Sequence, residues 1–204
     1  MRLWLRTKEA LVADLIYGAM VSLDGFVADS SGNFDWATPD AEVHRAANDL
    51  ERPIGTYLYG RRMYQVMRFW QTAQFSDTDA DEMQAAAREY AGIWQQAEKV
   101  VFSRTLDGEN VTGDGKTRVE RRFLPADIAA MKARATRPLA IGGPTLAMHA
   151  LRADLVDEIA MFVNPVIVGG GNRMLPDAVH LKLELNEERR FGNGVVLLRY
   201  RVQH

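Results

Sequence analysis

The stretch Arg137–Leu151, RPLAIGGPTLAMHAL, decides how this chain folds. An apolar run ends in Gly142-Gly143, and Pro144 then opens a segment whose apolar residues recur at helical spacing. A short buried strand feeding directly into a helix is half of the repeating unit of a parallel sheet. Proline suits the first helical position because its missing N–H would have no intrahelical partner there. Glycine has no Cβ, so the pair serves either as a tight turn or as a place where backbone is closely approached.

The same grammar recurs on both sides of this stretch. Thr56–Gly60, TYLYG, runs into the helical RRMYQVM, and Val100–Ser103, VVFS, runs into the polar RTLDGENVTGDGK. Leu15–Val21, LIYGAMV, reads as the first buried strand, and the turn-rich SLDGFVADSSGNFDW follows it. TPDAEVHRAANDLE predicts a helix with Thr38 as N-cap, Pro39 at the first helical position and acids in the first turn. DTDADEMQAAAREYAGIWQQAEK is the longest helical pattern, and PADIAAMKARA predicts another helix, opened by Pro125. Val156–Gly169 reads mainly as strand, followed by the loop GGGNRM. LKLELNEERRF, GNG and VVLLRYRV then spell a hairpin. Strands alternating with helices and closed by a hairpin predict an α/β fold: a mostly parallel central sheet with an antiparallel C-terminal hairpin.

Composition narrows the classes of function. With 204 residues, 47% hydrophobic and 25% charged, the chain suits one globular domain. A net charge of -2 offers no electrostatic footprint for nucleic acid or anionic membrane. There is no cysteine, which excludes disulfides, thiolate catalysis and cysteine metal sites, and fits a cytoplasmic protein. Glu9 and Asp14 interrupt the apolar residues near the start, and no run reaches the length of a membrane span. Residues 1–13 read as an extension and residues 14–204 as a single domain. His44, His149 and His180 stand far apart without ligand spacing, so no metal site is expected.

In an open α/β sheet, ligands sit at the carboxyl ends of the parallel strands. Arg61, Arg62 and Arg104 add charge at two of the strand–helix junctions, and arginine can grip phosphate in a bidentate way. The third junction has Gly142 and Gly143, which would let backbone approach a pyrophosphate. The alternative at each junction is an ordinary turn with a solvated arginine. IGGPTL is no Rossmann fingerprint and GDGK is no P-loop.

Taken in order, VSLDGFVAD, YGRRMY, VVFSRTL, AIGGPTLAMHAL and LVDEIAMFVNPVIVGGGNRML resemble the dihydrofolate-reductase-like superfamily. The resemblance is strongest to the branch of the C-terminal reductase domain of the bifunctional riboflavin-biosynthesis deaminase/reductase, and covers roughly Leu15 to Val202. It implies a three-layer fold, NADPH as cofactor and hydride transfer to a conjugated heterocycle of pteridine or pyrimidine type. It assigns Gly60, Arg61 and Arg62 to the cofactor phosphates, and Ser103, Arg104 and Thr105 to the adenosine ribose and its 2′-phosphate. Gly142 and Gly143, in that family often joined by a cis peptide bond, would cover the pyrophosphate with Pro144, Thr145 and Leu146. Ala19 and the Ser22–Gly25 loop would flank the nicotinamide.

Three residues depart from the family. Ala41 falls where folate reductases place a carboxylate, Phe26 where riboflavin reductases carry a base, and Met63 where folate reductases favour threonine. For the substrate side, Trp36 and Asp35 are candidates to stack on and bond a flat ring, with Asp24, Asp40 and Glu42 as catalytic candidates. Asp40 and Glu42 equally suit a role in complementing the helix dipole, and Asp24 an Asx turn. A nucleotide- or pterin-binding module without turnover is the alternative that Ala41 favours. The apolar run Val195–Leu198 in the hairpin suggests burial by a second subunit in a homodimer.

Overall fold

The computed structural model describes residues 12–75, 81–106, 111 and 113–204. Most of the predicted extension, and the start of the longest helical pattern before Asp81, lie outside them. In chain order the elements are β1 (Leu15–Ser22), β2 (Phe26–Ala28), α1 (Ala41–Glu51), β3 (Thr56–Gly60), α2 (Arg61–Met67) and α3 (Phe69–Thr72). There follow α4 (Glu82–Gln96), β4 (Glu98–Phe102), β5 (Thr117–Glu120), α5 (Pro125–Arg134), β6 (Leu139–Gly142) and α6 (Pro144–Arg152). The chain closes with β7 (Glu158–Asn164), β8 (Asn172–Arg173), β9 (Lys182–Arg190) and β10 (Val196–Gln203).

The sheet has the order β5-β4-β3-β6-β1-β7-β10-β9. Its strands are parallel from β5 to β7, and β10 and β9 are joined antiparallel. Alternation along each strand sorts side chains to two faces. Leu15, Tyr17, Leu58, Val100, Leu139 and Ile141 pack with Ile128 of α5 and with Leu146, Ala147, Ala150 and Leu151 of α6. On the opposite face Tyr57, Tyr59 and Val101 pack with Tyr64 of α2 and Trp94 of α4, while Phe162 and Leu197 pack with Val43 and Ala46 of α1. Helix, sheet and helix make three layers, as expected.

The connection leaving β1 passes to the α1 face and the one leaving β6 passes to the α6 face, although the two strands are neighbours. Such a reversal opens a crevice at the carboxyl ends of the strands, the place where α/β sheets bind ligands.

Several local expectations are corrected. The N-cap of α1 is Asp40, not Thr38: its Oδ1 accepts from Val43 N at 2.9 Å, and Pro39 lies before the cap. The Thr38 hydroxyl instead donates to Asp35 O at 2.8 Å and closes a 3₁₀ turn over Asp35–Ala37. β5 forms over Thr117–Glu120, a stretch to which the sequence pattern assigns no element, and pairs with β4, while β2 and β8 pair with each other. Val195 and Leu197, 3% and 2% exposed, are buried in the chain's own core, because β10 is an inner strand and β9 forms the edge. They are not available to a second subunit.

At the far end from the crevice, Glu51 closes α1. The residue is half-buried, yet its Oε2 is sealed from solvent, and among the described residues neither it nor the hydroxyl of Tyr57 beside it has a hydrogen-bond partner. Burial pushes the Glu51 carboxyl from 4.5 up to about 7, with Tyr57 pulling the other way. Because the folded value lies above the unfolded one, the associated stability is complete below pH 4.5 and is lost as pH rises through about 7. Glu51→Gln should therefore match the wild type near pH 5 and exceed it by roughly 2–3 kcal/mol near pH 8, measured by urea unfolding. A gap that does not widen with pH would show that the carboxyl stays hydrated.

Candidate functional site

The three strand–helix junctions converge on one rim. β4, β3 and β6 are consecutive in the sheet and parallel, so Ser103, Gly60 and Gly142 end side by side. Arg61 donates through Nη1 to Thr105 Oγ1 at 2.9 Å, which ties the first junction to the second. Met63 of α2 packs against Gly142 and Gly143, and Gly60 faces the Cβ of Leu146, which ties the first to the third.

The glycine pair is required by the protein's own packing. A Cβ at Gly142 would lie 2.6 and 2.8 Å from Cε1 and Cδ1 of Tyr59, its partner across the ladder. Gly143 has φ 90°, and a Cβ there would meet Met63 Cβ at 3.2 Å. The peptide bonds of the described residues are trans, so the expected cis link is absent. The sharp turn into α6 comes from the positive φ of Gly143, a conformation only glycine adopts without strain. Gly143 is also the N-cap of α6 and has no side chain to fold back, while Pro144 opens the helix. The amides of Thr145 and Leu146 therefore face the rim without a side-chain cap, an arrangement suited to an anion.

The turn after β4 is built from within. Ser103 Oγ accepts from the amides of Thr105 at 3.2 Å and Leu106 at 3.0 Å. Arg121, beyond β5, donates to the carbonyls of Ser103 at 3.4 Å, Arg104 at 3.1 Å and Leu106 at 3.0 Å. Arg121 was not among the residues singled out, since only the formation of β5 brings it to this turn. Arg61, Arg62 and Arg104 are exposed, and none enters a salt bridge among the described residues. The rim thus has a basic side with free guanidinium capacity.

On the other side of β6, β1 brings Ala19 and the Ser22–Gly25 turn to the same rim. Asp24 accepts from Gly169 N at 2.8 Å and Val168 N at 3.2 Å, so it clamps the glycine-rich loop to the end of β1. The Ser22 hydroxyl and these amides hold its carboxyl below the usual range. Phe26 is buried beneath the Arg173 guanidinium, 4.8 Å from its ring. Glu42 accepts from Arg189 at 3.2 Å and from Gly192 N at 3.1 Å. Trp36 is half-buried and donates to Asn33 O at 3.2 Å, and Asp35 is exposed.

His44 is buried against Asn48, Trp70 and Tyr90, and His149 lies beside Phe123. Among the described residues no group of three or more metal-binding side chains comes together.

With this geometry in place, comparison with known proteins is decisive for the family. The model of the RibD C-terminal domain matches residues 13–197. The chain belongs to that family. The RibD C-terminal domain seen here is 26% identical over 188 residues to the uncharacterized protein YyaP of Bacillus subtilis (strain 168), covering 91% of this chain and 93% of that one. Its fold is shared by a protein of Shewanella sp. PV-4 named for riboflavin biosynthesis, with TM-score 0.71, 18% identity, and 94% of this chain and all of that one covered. A diaminohydroxyphosphoribosylaminopyrimidine deaminase/5-amino-6-(5-phosphoribosylamino)uracil reductase of Thermotoga maritima shares it too, with TM-score 0.65 and 15% identity. That match covers 94% of this chain and 57% of the longer Thermotoga protein. Among the described residues no helix is long and apolar enough to cross a membrane.

Gly142→Ala tests the packing directly. Driving a Cβ into the Tyr59 ring should cost roughly 1–3 kcal/mol in urea unfolding. A loss within about 0.5 kcal/mol would show that the ring has room to move.

Proposed function

We propose that this RibD C-terminal domain is an NADPH-dependent reductase of a small conjugated heterocycle of pteridine or pyrimidine type. The observation that carries the reading is the contact of all three junctions on one rim, with amides that have no side-chain cap at one end and, at the other, arginines that form no salt bridge among the described residues. When bound, NADPH supplies the hydride. Thr145 and Leu146 offer amides to the pyrophosphate, and Gly142 and Gly143 keep the backbone bare beside it. Gly60 leaves room at the start of α2, where Arg61 and Arg62 meet the phosphates. Arg104, projected by the turn that Ser103 and Arg121 shape, takes the 2′-phosphate with Thr105. Ala19 lines the nicotinamide end.

On the acceptor side, Asp24 remains ionised at neutral pH and positions the loop rather than giving up a proton. Asp40 caps α1 and Glu42 holds Arg189 and Gly192, so both act through structure. Asp35, exposed beside Trp36, is the carboxylate left to meet a ring. This commitment of the other acids favours a second reading, a nucleotide- or pterin-binding module without turnover. Loss of NADPH absorbance with pterin and pyrimidine acceptors separates the two: consumption supports the reductase, and binding without consumption supports the module.

Calorimetry should show NADPH binding more tightly than NADH, and Arg104→Ala should weaken NADPH about tenfold, the worth of a charge-assisted hydrogen bond, while leaving NADH unchanged. Equal affinities for the two cofactors would remove the assignment of Arg104. We also propose a cytoplasmic homodimer, in keeping with the lack of cysteine and with the edge strand β9. There Leu183 and Leu185 are 40% and 50% exposed, an apolar surface that a second copy would cover. Sedimentation at micromolar concentration should give a dimer that Leu185→Glu dissociates, and a monomeric wild type would refute it.

A further inference from the structure

Arg121 is the first residue beyond β5, and its side chain reaches back to the turn that follows β4. One nitrogen, Nη1, donates to the carbonyls of Ser103 at 3.4 Å, Arg104 at 3.1 Å and Leu106 at 3.0 Å. The amides of the same turn have a different partner, since Thr105 and Leu106 both donate to Ser103 Oγ. β5 supplies one more tie, because Ser103 N donates to Glu120 O at 2.9 Å. From the β3 side, Arg61 holds Thr105 Oγ1 at 2.9 Å. The backbone of Arg104 is thus fixed from both neighbouring strands.

This is more than the turn needs for its own polar atoms. Arg104 is exposed, and water can satisfy a carbonyl there. What the guanidinium adds is shape and charge. It draws three carbonyls of one turn to a single point, and it sets a second cation beside Arg104. Arg121 is itself exposed and forms no salt bridge among the described residues.

The strand that delivers Arg121 is lightly held. β5 has four residues, none of them buried, and it pairs with β4 alone. Short edge strands of this kind open more readily than the strands inside a sheet. A guanidinium that crosses from such a strand to the turn couples the sheet edge to a ligand of that turn.

Building on the assignment of the Ser103–Thr105 turn to the 2′-phosphate, we propose that Arg121 is a positioning residue that sets the preference for NADPH over NADH. It acts through Arg104, by holding the turn in the shape that presents that side chain. The coupling runs both ways: where docked β5 favours the 2′-phosphate, the 2′-phosphate favours docked β5 by the same factor.

The test uses the full chain and its Arg104→Ala, Arg121→Gln and doubly substituted forms, titrated with NADPH and NADH by calorimetry. Arg121→Gln should weaken NADPH about tenfold and leave NADH within about twofold of the wild type. In the Arg104→Ala background the same change should cost NADPH less than about twofold, because the side chain it positions is gone. Equal loss of both cofactors, unchanged discrimination, or a tenfold loss added to that of Arg104→Ala overturns the proposal. Hydrogen exchange of the wild type gives a second reading that needs no substitution. At saturation, NADP⁺ should slow exchange across residues 117–121 at least about threefold relative to NAD⁺, and equal exchange overturns the proposal. Where Arg121→Gln lacks the wild-type circular dichroism, the exchange comparison alone decides. A wild type that binds NADPH and NADH equally, or binds neither, instead brings down the cofactor assignment, and this inference with it.

Discussion

A missing side chain at the end of β6 governs the rim. β6 lies between β3 and β1, and the ring of Tyr59 fills the space a Cβ of Gly142 would need. Met63 presses on Gly143 from α2, so the helix that starts after Gly60 sits directly against the turn that starts α6. The close approach in this stretch is first of all of protein to protein. Protein interiors pack too densely for a methyl group to be absorbed there without displacing Tyr59 or the strand. Any such displacement would separate Arg61 and Arg62 from the α6 amides, so the candidate site inherits its geometry from a packing constraint two residues wide.

Much of this was legible in the residues, and the reason is physical. TYLYG followed by RRMYQVM marks both the strand and the helix of one junction, because a run of buried aromatic and aliphatic residues gives way at once to a helical pattern. The layer arrangement follows from the same alternation. What escaped was set by tertiary partners. TRVE is short and polar, and becomes β5 only because the edge of β4 is free to receive it. Asn172 and Arg173 pair with β2 because Gly171, at φ 132°, passes where a Cβ would strike the Ala28 carbonyl at 2.2 Å. A hairpin pattern does not say which of its strands lies inside, so Val195–Leu198 could look like an interface while β10 was packed between β7 and β9. The cap of α1 shifted for a similar reason, since Thr38 had a carbonyl of its own to satisfy.

The candidate site residues divide according to what their polar atoms already do. Ser103, Asp24, Asp40 and Glu42 are four of the polar side chains that sequence brought forward, and each is engaged with backbone amides of its own fold. A buried or half-buried turn must satisfy its N–H groups somewhere, and short polar side chains at strand ends do this most cheaply. The same residue types are those a ligand site would use, so type and position alone could not separate the two roles. What stays open is of a different kind: backbone amides at the start of α6 that have no side-chain cap, and guanidinium groups at the ends of β3 and β4 that form no salt bridge among the described residues. Amides and guanidinium groups share one anion-binding chemistry, and at the end of β6 no side chain stands between them.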